Sequence, residues 1–370
     1  GMVVHGYVDI NNWYPVKIGE SGTCNKDVVC WDACDWLDEI RSVARIAIGG
    51  GLCTGTLINN TSEDGTPYFL TANHCGPSSM GSAVFKFNYN STNCSSSNAN
   101  AAGATNGNIV NGSTFKASNA ASDFGLIELN SIPPASYEVF YAGWENGGAS
   151  PQTGVGIHHP SGDVKKLAFD DDPLTSASGL SSVSNSEWRI EAWERNTTTE
   201  GGSSGSGLWD ENHHLVGQLH GGSASCTSIT NDFYGKFSMS WTGNGSSSSA
   251  ARLSDWLDPS GSGVTSLDGY DPNGGVETPA FCLTSVKEID NNVFFEMYPN
   301  PASSSVTVNL VNGLDNVSIE LVDIQGRLMS SYKYVTGAIM KVDLSSVSNG
   351  VYFIKVSSEG TIQTKKLIVE

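Results

Sequence analysis

The apolar segments of this chain are short, and glycine, serine, asparagine or proline closes each of them. Long runs with helical periodicity are few, and the two short candidates cover residues 35–46 and 250–257. Many short strands separated by turns are typical of barrels and sandwiches, so the sequence predicts an all-β fold. The strands are expected at residues 44–49, 53–58, 68–71, 83–89, 124–129, 137–142, 155–158, 188–193, 215–219 and 233–241.

The composition changes after the last of these segments. Residues 259–287 are rich in glycine, proline, serine and aspartate, which is typical of a linker. Beyond them, apolar and polar residues alternate between turns, as in a small antiparallel sandwich. We therefore predict a tail or propeptide remnant, a large domain, a linker and a small C-terminal β-sandwich at residues 1–18, 19–270, 271–287 and 288–370.

The charge balance limits the partners of the protein. Acidic residues outnumber basic ones by 38 to 19, which gives a net charge of −19. Such a surface repels phosphate backbones, so we exclude nucleic acid and expect a weak attraction for cationic substrates. No apolar run reaches the ~20 residues that would span a bilayer. No signal peptide opens the sequence, and we expect a targeting segment to be removed ahead of it.

Eight cysteines indicate disulfides rather than a metal centre. None forms a C-x-x-C pair, and the spacing of Cys24, Cys30 and Cys34 fits no zinc ribbon. An even number without metal spacing is typical of disulfides in an oxidising compartment. Adjacent histidines would face opposite sides of a strand, so we predict no metal and no cofactor. The two adjacent pairs are His158-His159 and His213-His214.

Three segments could carry chemistry. Residues 70–76 run from an apolar strand into a small-residue turn with His74, Asp123 leads into another apolar strand, and residues 201–207 set Ser204 among glycines. Taken singly, these could be a strand-end histidine, a turn aspartate and a flexible linker. The glycine-rich segment, however, is followed at once by predicted strand residues, where a linker is not expected.

Together the three residues follow the chain order of the chymotrypsin-type enzymes, His74, then Asp123, then Ser204. Ser204 Oγ would attack a carbonyl carbon, His74 would carry its proton, and Asp123 would orient the imidazole. The flanking glycines would let the backbone N–H groups of Gly202 and Ser204 face the developing oxyanion. The joint pattern predicts acyl transfer more specifically than any of its parts.

A set of longer stretches follows one order between Gly19 and Gly269: GTCNKDVVC, CTGTLINNT, YFLTANHCG, SDFGLIELN, IHHPSGDVKK, GSSGSG, VGQLHGGSASC and RLSDWLDP. In these stretches the chain resembles the lysyl endopeptidases, secreted bacterial members of the trypsin-like class. The resemblance implies a chymotrypsin-like double β-barrel with its active site in the cleft between the barrels. It also implies His74, Asp123 and Ser204 as the catalytic triad.

The resemblance further implies disulfide pairs. They are Cys24–Cys226, Cys30–Cys94 and Cys53–Cys75. Cys34 and Cys282 are then left, and we expect a fourth bridge between them. Trypsin pairs an aspartate with a newly cut N-terminus, but Ser203 stands at that position here. We therefore expect the Cys24 bridge to hold the N-terminal region instead.

Specificity depends on residues after the catalytic serine. The resemblance implies Asp232 as the acid of the S1 pocket, where a turn aspartate is the alternative, and it implies His220 and Gly221 in the substrate cleft. Thr198, at the usual trypsin position, carries no charge. The tryptophan associated with strict lysine preference has no counterpart in residues 176–186. We therefore predict cleavage after lysine, with arginine accepted.

The C-terminal region resembles the sorting domains of secreted Bacteroidetes proteins. The resemblance rests on YPNP, VDIQGR, the hairpin around NGVY and the final KKLIVE. It implies recognition by an outer-membrane secretion apparatus. The alternative for this region is a sandwich that binds sugars or surfaces.

The whole sequence predicts a secreted or cell-surface serine endopeptidase. It would act on proteins or peptides as a monomer, with the secretion machinery as a further partner. Two alternatives stay open: the same chemistry with another residue before the cut, such as glutamate, and a catalytically silent binding module that keeps the fold.

Overall fold

The structure is a computed structural model that divides into two compact units, Gly1–Ser285 and Val286–Glu370. The predicted N-terminal tail and residues 95–107 lie outside the described residues. In the part that is described, no helix is long and apolar enough to cross a bilayer. The structure describes residues 19–94, 108–283, 295–310, 315–336, 339–358 and 361–370.

The first unit contains strands β1 to β17 and four short α-helices. The strands are Lys26–Asp27, Val43–Ile48, Gly51–Leu57, Tyr68–Ala72, Val84–Phe87, Ile109–Asn111, Ser113–Asn119, Phe124–Leu129, Trp144–Glu145, Gly154–His158, Lys166–Asp170, Thr175–Ala177, Glu187–Ala192, Gly207–Trp209, Leu215–Gly222, Thr230–Lys236 and Ser266–Leu267. The helices α1 to α4 are Leu37–Ser42, Phe237–Thr242, Ser254–Leu257 and Ala280–Leu283. The 3₁₀ helices are Trp31–Trp36, Asn73–Cys75, Pro77–Ser82, Ala135–Tyr137, Pro160–Gly162, Gly243–Gly245 and Ser249–Ala251.

The first sheet is antiparallel and has seven strands in the order β6-β5-β2-β3-β4-β8-β7. Its two edge strands, β6 and β7, are separated along the chain only by Gly112, so the edges meet. The N–H of Gly112 donates to the carbonyl of Ala83, and its carbonyl accepts from the N–H of Asn130. The sheet therefore closes on itself as a barrel, whose interior is filled by side chains such as Phe69, Phe85 and Phe87.

The second sheet has ten strands, with the main order β1-β11-β10-β14-β15-β16-β13-β12, with β9 paired to β15 and with β17 paired to β9. A bridge between Phe169 on β11 and Glu194, just after β13, brings distant strands of this sheet together. Trp193, Leu208 and Tyr234 are buried inside it. The predicted all-β fold class with two barrel-like sheets is confirmed.

Several predicted boundaries are wrong. The expected helical segment at 35–46 ends at Ser42, because the following residues pair with strands on both sides as β2. The expected strand at 233–241 ends at Lys236 and continues as α2. Residues 137–142 form only isolated bridges through Tyr141 and Ala142. Tertiary pairing overrides local propensity at each of these places.

The second unit is a small β-sandwich with strands β18 to β24. Its two antiparallel sheets have the orders β18-β19-β22 and β21-β20-β23-β24. Alternate residues of β19, Val306, Val308 and Leu310, are buried, which is the predicted period of two. The strands are Phe295–Tyr298, Ser305–Leu310, Asp315–Asp323, Leu328–Thr336, Ile339–Asp343, Gly350–Ser358 and Thr361–Val369.

Four disulfides link distant parts of the first unit. The longest, Cys34–Cys282, joins the 3₁₀ helix near the start of the unit to α4 near its end, across 248 residues. The bridges are Cys24–Cys226, Cys30–Cys94, Cys34–Cys282 and Cys53–Cys75.

Candidate active site

His74 lies in the turn after β4 and is held by Asp123 at two points. The backbone N–H of His74 donates to Asp123 Oδ1 at 3.0 Å, and its Nδ1 lies 2.7 Å from Asp123 Oδ2. The side chain of Asp123 is almost wholly buried, whereas that of His74 is 39% exposed. The carboxylate therefore orients an imidazole whose other nitrogen is free to face a substrate.

Asp123 reaches His74 through an unusual backbone conformation. Its φ is +52°, in the left-handed region that aspartate tolerates better than most residues. Its carbonyl accepts the N–H of Asn73 at 2.6 Å. Directly after it, Phe124 on β8 pairs with Ala72 on β4. The ladder between these two strands thus places the aspartate opposite the histidine.

Ser204 is brought to the same place by backbone contacts. The N–H of Thr54 on β3 donates to the carbonyl of Ser204 at 2.8 Å. Cys75, the neighbour of His74, has its Sγ 3.8 Å from that same carbonyl. Ser204 Oγ forms no hydrogen bond with another described residue. In unliganded enzymes a catalytic hydrogen bond is often long and tightens only with substrate.

Gly205 lets the serine loop approach the end of β4. Its φ is +81°, and an added Cβ would lie 2.3 Å from Thr71 Oγ1 and 2.6 Å from the backbone nitrogen of Ala72. Only glycine combines this φ with so little space. Gly205 is therefore part of a packed junction between the serine loop and the first barrel, not of a flexible linker.

The backbone of the serine loop leaves two N–H groups without acceptors. The N–H groups of Ser203, Gly205 and Ser206 donate to carbonyls at 2.8–3.0 Å. Within the described chain, no acceptor meets the N–H of Gly202 or of Ser204. Unpaired N–H groups on a candidate nucleophile and two residues before it are what an oxyanion hole requires.

Ser203 occupies a buried position and is bonded to a histidine. Its Oγ lies 2.7 Å from His158 Nδ1 and also accepts the N–H of Glu200 at 3.2 Å. His158 is fully buried, and this burial lowers its pKa to about 3. A neutral His158 thus steadies the residue before Ser204, where trypsin uses an ion pair.

Two carboxylates hold the beginning of the described chain, which sequence reasoning assigned to the Cys24 bridge alone. Asp163 is fully buried and accepts the N–H groups of Gly19 and Ser21, at 2.9 and 3.2 Å. Glu200 accepts the N–H of Gly22 at 2.8 Å and the side-chain amide of Asn25 at 2.9 Å. Asp163 stands in the stretch IHHPSGDVKK and Glu200 stands just before the glycine-rich loop, but neither stretch reveals their partners, which lie more than 140 residues away.

Asp232 lies on β16 opposite Gly222 on β15. Its Oδ2 accepts the indole N–H of Trp193 at 2.7 Å and the hydroxyl of Thr199. Burial raises the pKa of the Asp232 carboxyl, although these hydrogen bonds oppose the rise. An added Cβ at Gly222 would lie 2.0 Å from the carbonyl oxygen of Asn231 and 2.2 Å from Asp232 Oδ1, so only glycine fits against this buried side chain.

His220 links the two barrels, and its partner Glu187 was missed by sequence reasoning. Its Nδ1 lies 2.6 Å from Glu187 Oε1, and its Nε2 lies 3.8 Å from Asp123 Oδ2. Its ring stacks on that of His74, with centroids 5.7 Å apart. Burial alone would lower the pKa of His220, but the hydrogen bond to Glu187 and the charges of Asp123 and Glu187 raise it.

Glu187 is fully buried and its carboxylate is surrounded by donors. Besides His220, it accepts the backbone N–H groups of Leu180 and Ser181, at 2.8 and 3.3 Å. Leu180 also lines a cavity of about 550 Å³, together with Arg189, Gly222 and other residues. No sequence motif marks Glu187, because its partner on β15 is 33 residues away and only the strand register brings them together.

The adjacent histidine pairs named above have separate partners. His159 Nδ1 lies 2.9 Å from the carbonyl of Asp163, whereas His158 faces Ser203. His213 pairs with Glu39 at 3.2 Å, and His214 pairs with Asp268 at 3.0 Å.

A double-barrel fold with a histidine held by a buried aspartate beside a glycine-flanked serine characterises one class of protein, the chymotrypsin-like serine peptidases. Comparison of the sequence narrows the class. Residues 18–235 match the family described as "Lysyl endopeptidase, C-terminal domain". The chain belongs to the lysyl endopeptidase family.

A curated relative and two solved structures are similar to this chain. The lysyl endopeptidase of Pseudomonas aeruginosa is 32% identical over 250 residues, which cover 61% of this chain and 51% of the relative. The chain thus spans about half the length of that relative. A Glu endopeptidase in complex with MPD is 20% identical, over 60% of this chain and 93% of that one, with a TM-score of 0.36. The active form of the Rv3671c protease from M. tuberculosis is 14% identical, over 64% and 89%, with a TM-score of 0.38.

The C-terminal unit has its own match. Residues 296–370 match the family described as "Secretion system C-terminal sorting domain". A sorting domain together with four disulfides indicates that the protein is exported, because disulfides persist in oxidising compartments.

Proposed function

We propose that the protein is an exported serine endopeptidase that hydrolyses peptide bonds after basic residues, with lysine preferred. The observation that carries the proposal is the pairing of His74 Nδ1 with the buried Asp123 at 2.7 Å, beside Ser204 in its glycine loop. Binding alone would require no such pair.

His74 acts as the general base and then as the general acid of the reaction. It takes the proton of Ser204 Oγ as that oxygen attacks the scissile carbonyl carbon, and it returns the proton to the leaving amine. Asp123 keeps the proton of His74 on Nδ1 and stabilises the imidazolium. The free N–H groups of Gly202 and Ser204 bind the oxyanion, and each such donor typically lowers the barrier by about 3 kcal/mol. Water then releases the acyl group by the same steps in reverse.

Asp232 selects the residue before the cut. Trp193 and Thr199 both bind Oδ2, and the backbone of Ala224 also donates a hydrogen bond to this carboxylate, so Oδ1 beside Gly222 is the oxygen that we propose for the cation of the substrate. One carboxylate oxygen suits the compact ammonium of lysine, whereas a guanidinium prefers two parallel hydrogen bonds. This supports lysine first and arginine second. His220 and Gly221 form part of the cleft wall.

The protease domain and the C-terminal domain have separate roles. We propose that residues 19–270 form the protease domain, residues 271–287 a linker and residues 288–370 the sorting domain. The sorting domain is recognised by a secretion apparatus of the outer membrane, as its family match supports.

Matched peptides with Lys, Arg, Glu or Phe before the cut test the proposal, with Ser204→Ala as the control. We expect cleavage after lysine, slower cleavage after arginine, and a loss of at least about 10⁴-fold in the variant. Cleavage only after glutamate would overturn the role of Asp232. A folded protein that cleaves none of them would favour a binding module.

A further inference from the structure

Three potential metal ligands meet in the cleft between the barrels. His74, Asp123 and His220 each have one donor atom within 4.8 Å of the donor atoms of the other two. Two imidazoles and one carboxylate form a ligand set that suits Zn²⁺, with a fourth position left for water. The site is open to solvent, because 39% of the His74 side chain and 19% of the His220 side chain are exposed.

The distances allow a zinc ion to enter with small movements. Bonds of about 2.0–2.2 Å in a tetrahedron place neighbouring ligand atoms about 3.3–3.5 Å apart. His220 Nε2 and Asp123 Oδ2 are 3.8 Å apart, which is close to that spacing. His74 Nδ1 and Asp123 Oδ2, at 2.7 Å, would have to separate by less than about 1 Å.

A second observation comes from the far side of His220. Histidines that bind metals nearly always donate their other ring N–H to a carboxylate, a carbonyl or a water molecule, which fixes the tautomer. Here the partner of Nδ1 is the fully buried Glu187, which is itself held by two backbone N–H groups. This arrangement leaves the lone pair of His220 Nε2 facing Asp123.

We propose that His74, Asp123 and His220 form an inhibitory Zn²⁺ site, with Glu187 as the residue that positions His220. The ion accepts lone pairs from two imidazole nitrogens and one carboxylate oxygen, and the proton of His74 moves through water from Nδ1 to Nε2, so the ring stays neutral but has no lone pair left for the proton of Ser204. The hydrogen bond between His74 and Asp123 is lost, and the nearby positive charge opposes protonation of His74 by Ser204. Inhibition rests on the proposed function, whereas zinc binding does not.

Two measurements on the full chain test the site. Zinc titration of lysyl-peptide cleavage should show inhibition that a chelator reverses, while Ca²⁺, which prefers six or more oxygen ligands, has no effect. Calorimetry with the Ser204→Ala protein should show one Zn²⁺ bound per chain. If no peptide is cleaved at all, the proposed function fails and calorimetry alone still decides the site.

Matched variants isolate the ligands. His220→Asn retains a donor for Glu187 but removes Nε2, and Glu187→Gln removes the carboxylate behind His220. Each should raise the half-inhibitory zinc concentration by about 10–100-fold relative to its own uninhibited rate. His214→Gln alters an ordinary histidine–carboxylate pair and should leave inhibition unchanged. Thermal unfolding checks that each variant is folded. Equal zinc inhibition in the parent and in both cleft variants, or no binding by calorimetry, would overturn the proposal.

Discussion

The two barrels bury different kinds of side chain. The first barrel is filled mainly with apolar residues, and it presents Asp123 at its rim. The second barrel buries charged and polar groups throughout its strands and loops. These include His158, His159, Asp163, Lys165, Lys166, Asp170, Glu187, Thr199 and Asp232.

This difference in buried side chains fits the different roles proposed for the two barrels. An apolar barrel gives a rigid frame on which one histidine–aspartate pair can be oriented with few competing partners. Buried polar groups cost desolvation free energy unless each finds a partner, so the second barrel carries a network of specific bonds around its apolar core. That network shapes the candidate pocket, the serine loop and the anchor of the N-terminal segment. Chemistry and specificity should therefore respond to different substitutions.

The largest effect is expected in the first barrel. Asp123→Asn keeps the shape of the site but favours the wrong tautomer of His74, so kcat should fall by about 10⁴-fold. The measurement is kcat for a lysyl peptide, with Asp255→Asn, an aspartate paired with Arg252, as the control. A similar loss in both variants would mean that the fold and not the pair had been damaged.

Asp232→Asn should alter substrate choice, which is the role proposed for the second barrel. We expect kcat/KM for lysyl peptides to fall by about 10²–10³-fold, or roughly 3–4 kcal/mol, because a buried cation loses its partner. Since the pKa of Asp232 is raised, the parent should also lose lysyl affinity as the pH falls through that pKa, and the variant should not. A loss below tenfold would remove Asp232 from the pocket.

Gly205→Ala probes the junction between the barrels. The positive φ alone should cost about 1–2 kcal/mol of unfolding free energy, and the contacts with Thr71 and Ala72 should add to it. Gly263→Ala is the matched control, because its φ is +74° but open space surrounds it. Urea unfolding of both variants gives the comparison. Equal destabilisation would show that the serine loop is not tightly packed against β4.

A further effect, measured as a slope of stability against pH, concerns the buried histidine of the second barrel. The pKa of His158 falls to about 3 in the fold, so the unfolded chain binds more protons between about pH 6.5 and 3. Stability should therefore drop with falling pH in this window, by at most about 1.4 kcal/mol per pH unit from this group. His158→Asn keeps an acceptor or donor for Ser203 and should flatten that slope.

His213 is a control because its contribution to stability changes with pH in the opposite direction. Glu39 raises its pKa, so its contribution to stability is present below about pH 6.5 and is lost as the pH rises through the folded value. His213→Asn should therefore lose stability on the acid side. Urea unfolding at several pH values measures both variants, and slopes that change in the same direction would contradict the assignment.

Local sequence patterns predicted the structural features that depend on residues close together in the chain. The alternation in Val306, Val308 and Leu310 and the turn before β8 are examples. The strand expected at 233–241 failed because the sequence alone does not show where β16 stops pairing and α2 begins. Apolar runs of this length suit either structure.

Glu187 shows a different limit. It precedes Trp188 in an ordinary strand pattern, and nothing around it suggests chemistry. Its importance follows from the register of two ladders, β13 with β16 and β15 with β16, which places it beneath His220. Such pairings depend on contacts between residues far apart in sequence. The same is true of Asp163 and Glu200, whose partners begin the described chain.

The wrapping of the first residues onto the second barrel has a consequence for the order of folding. Strand β1 pairs with β11, and Cys24 joins Cys226, so the second barrel is complete only after most of the unit has been synthesised. The first barrel needs no partner strand beyond Leu129 and can form earlier as the chain emerges. Contacts across such long separations close slowly, because loop closure must come first. The strand that carries Asp232 is thus among the last parts to assemble, so the first barrel can be in place before the enzyme is complete.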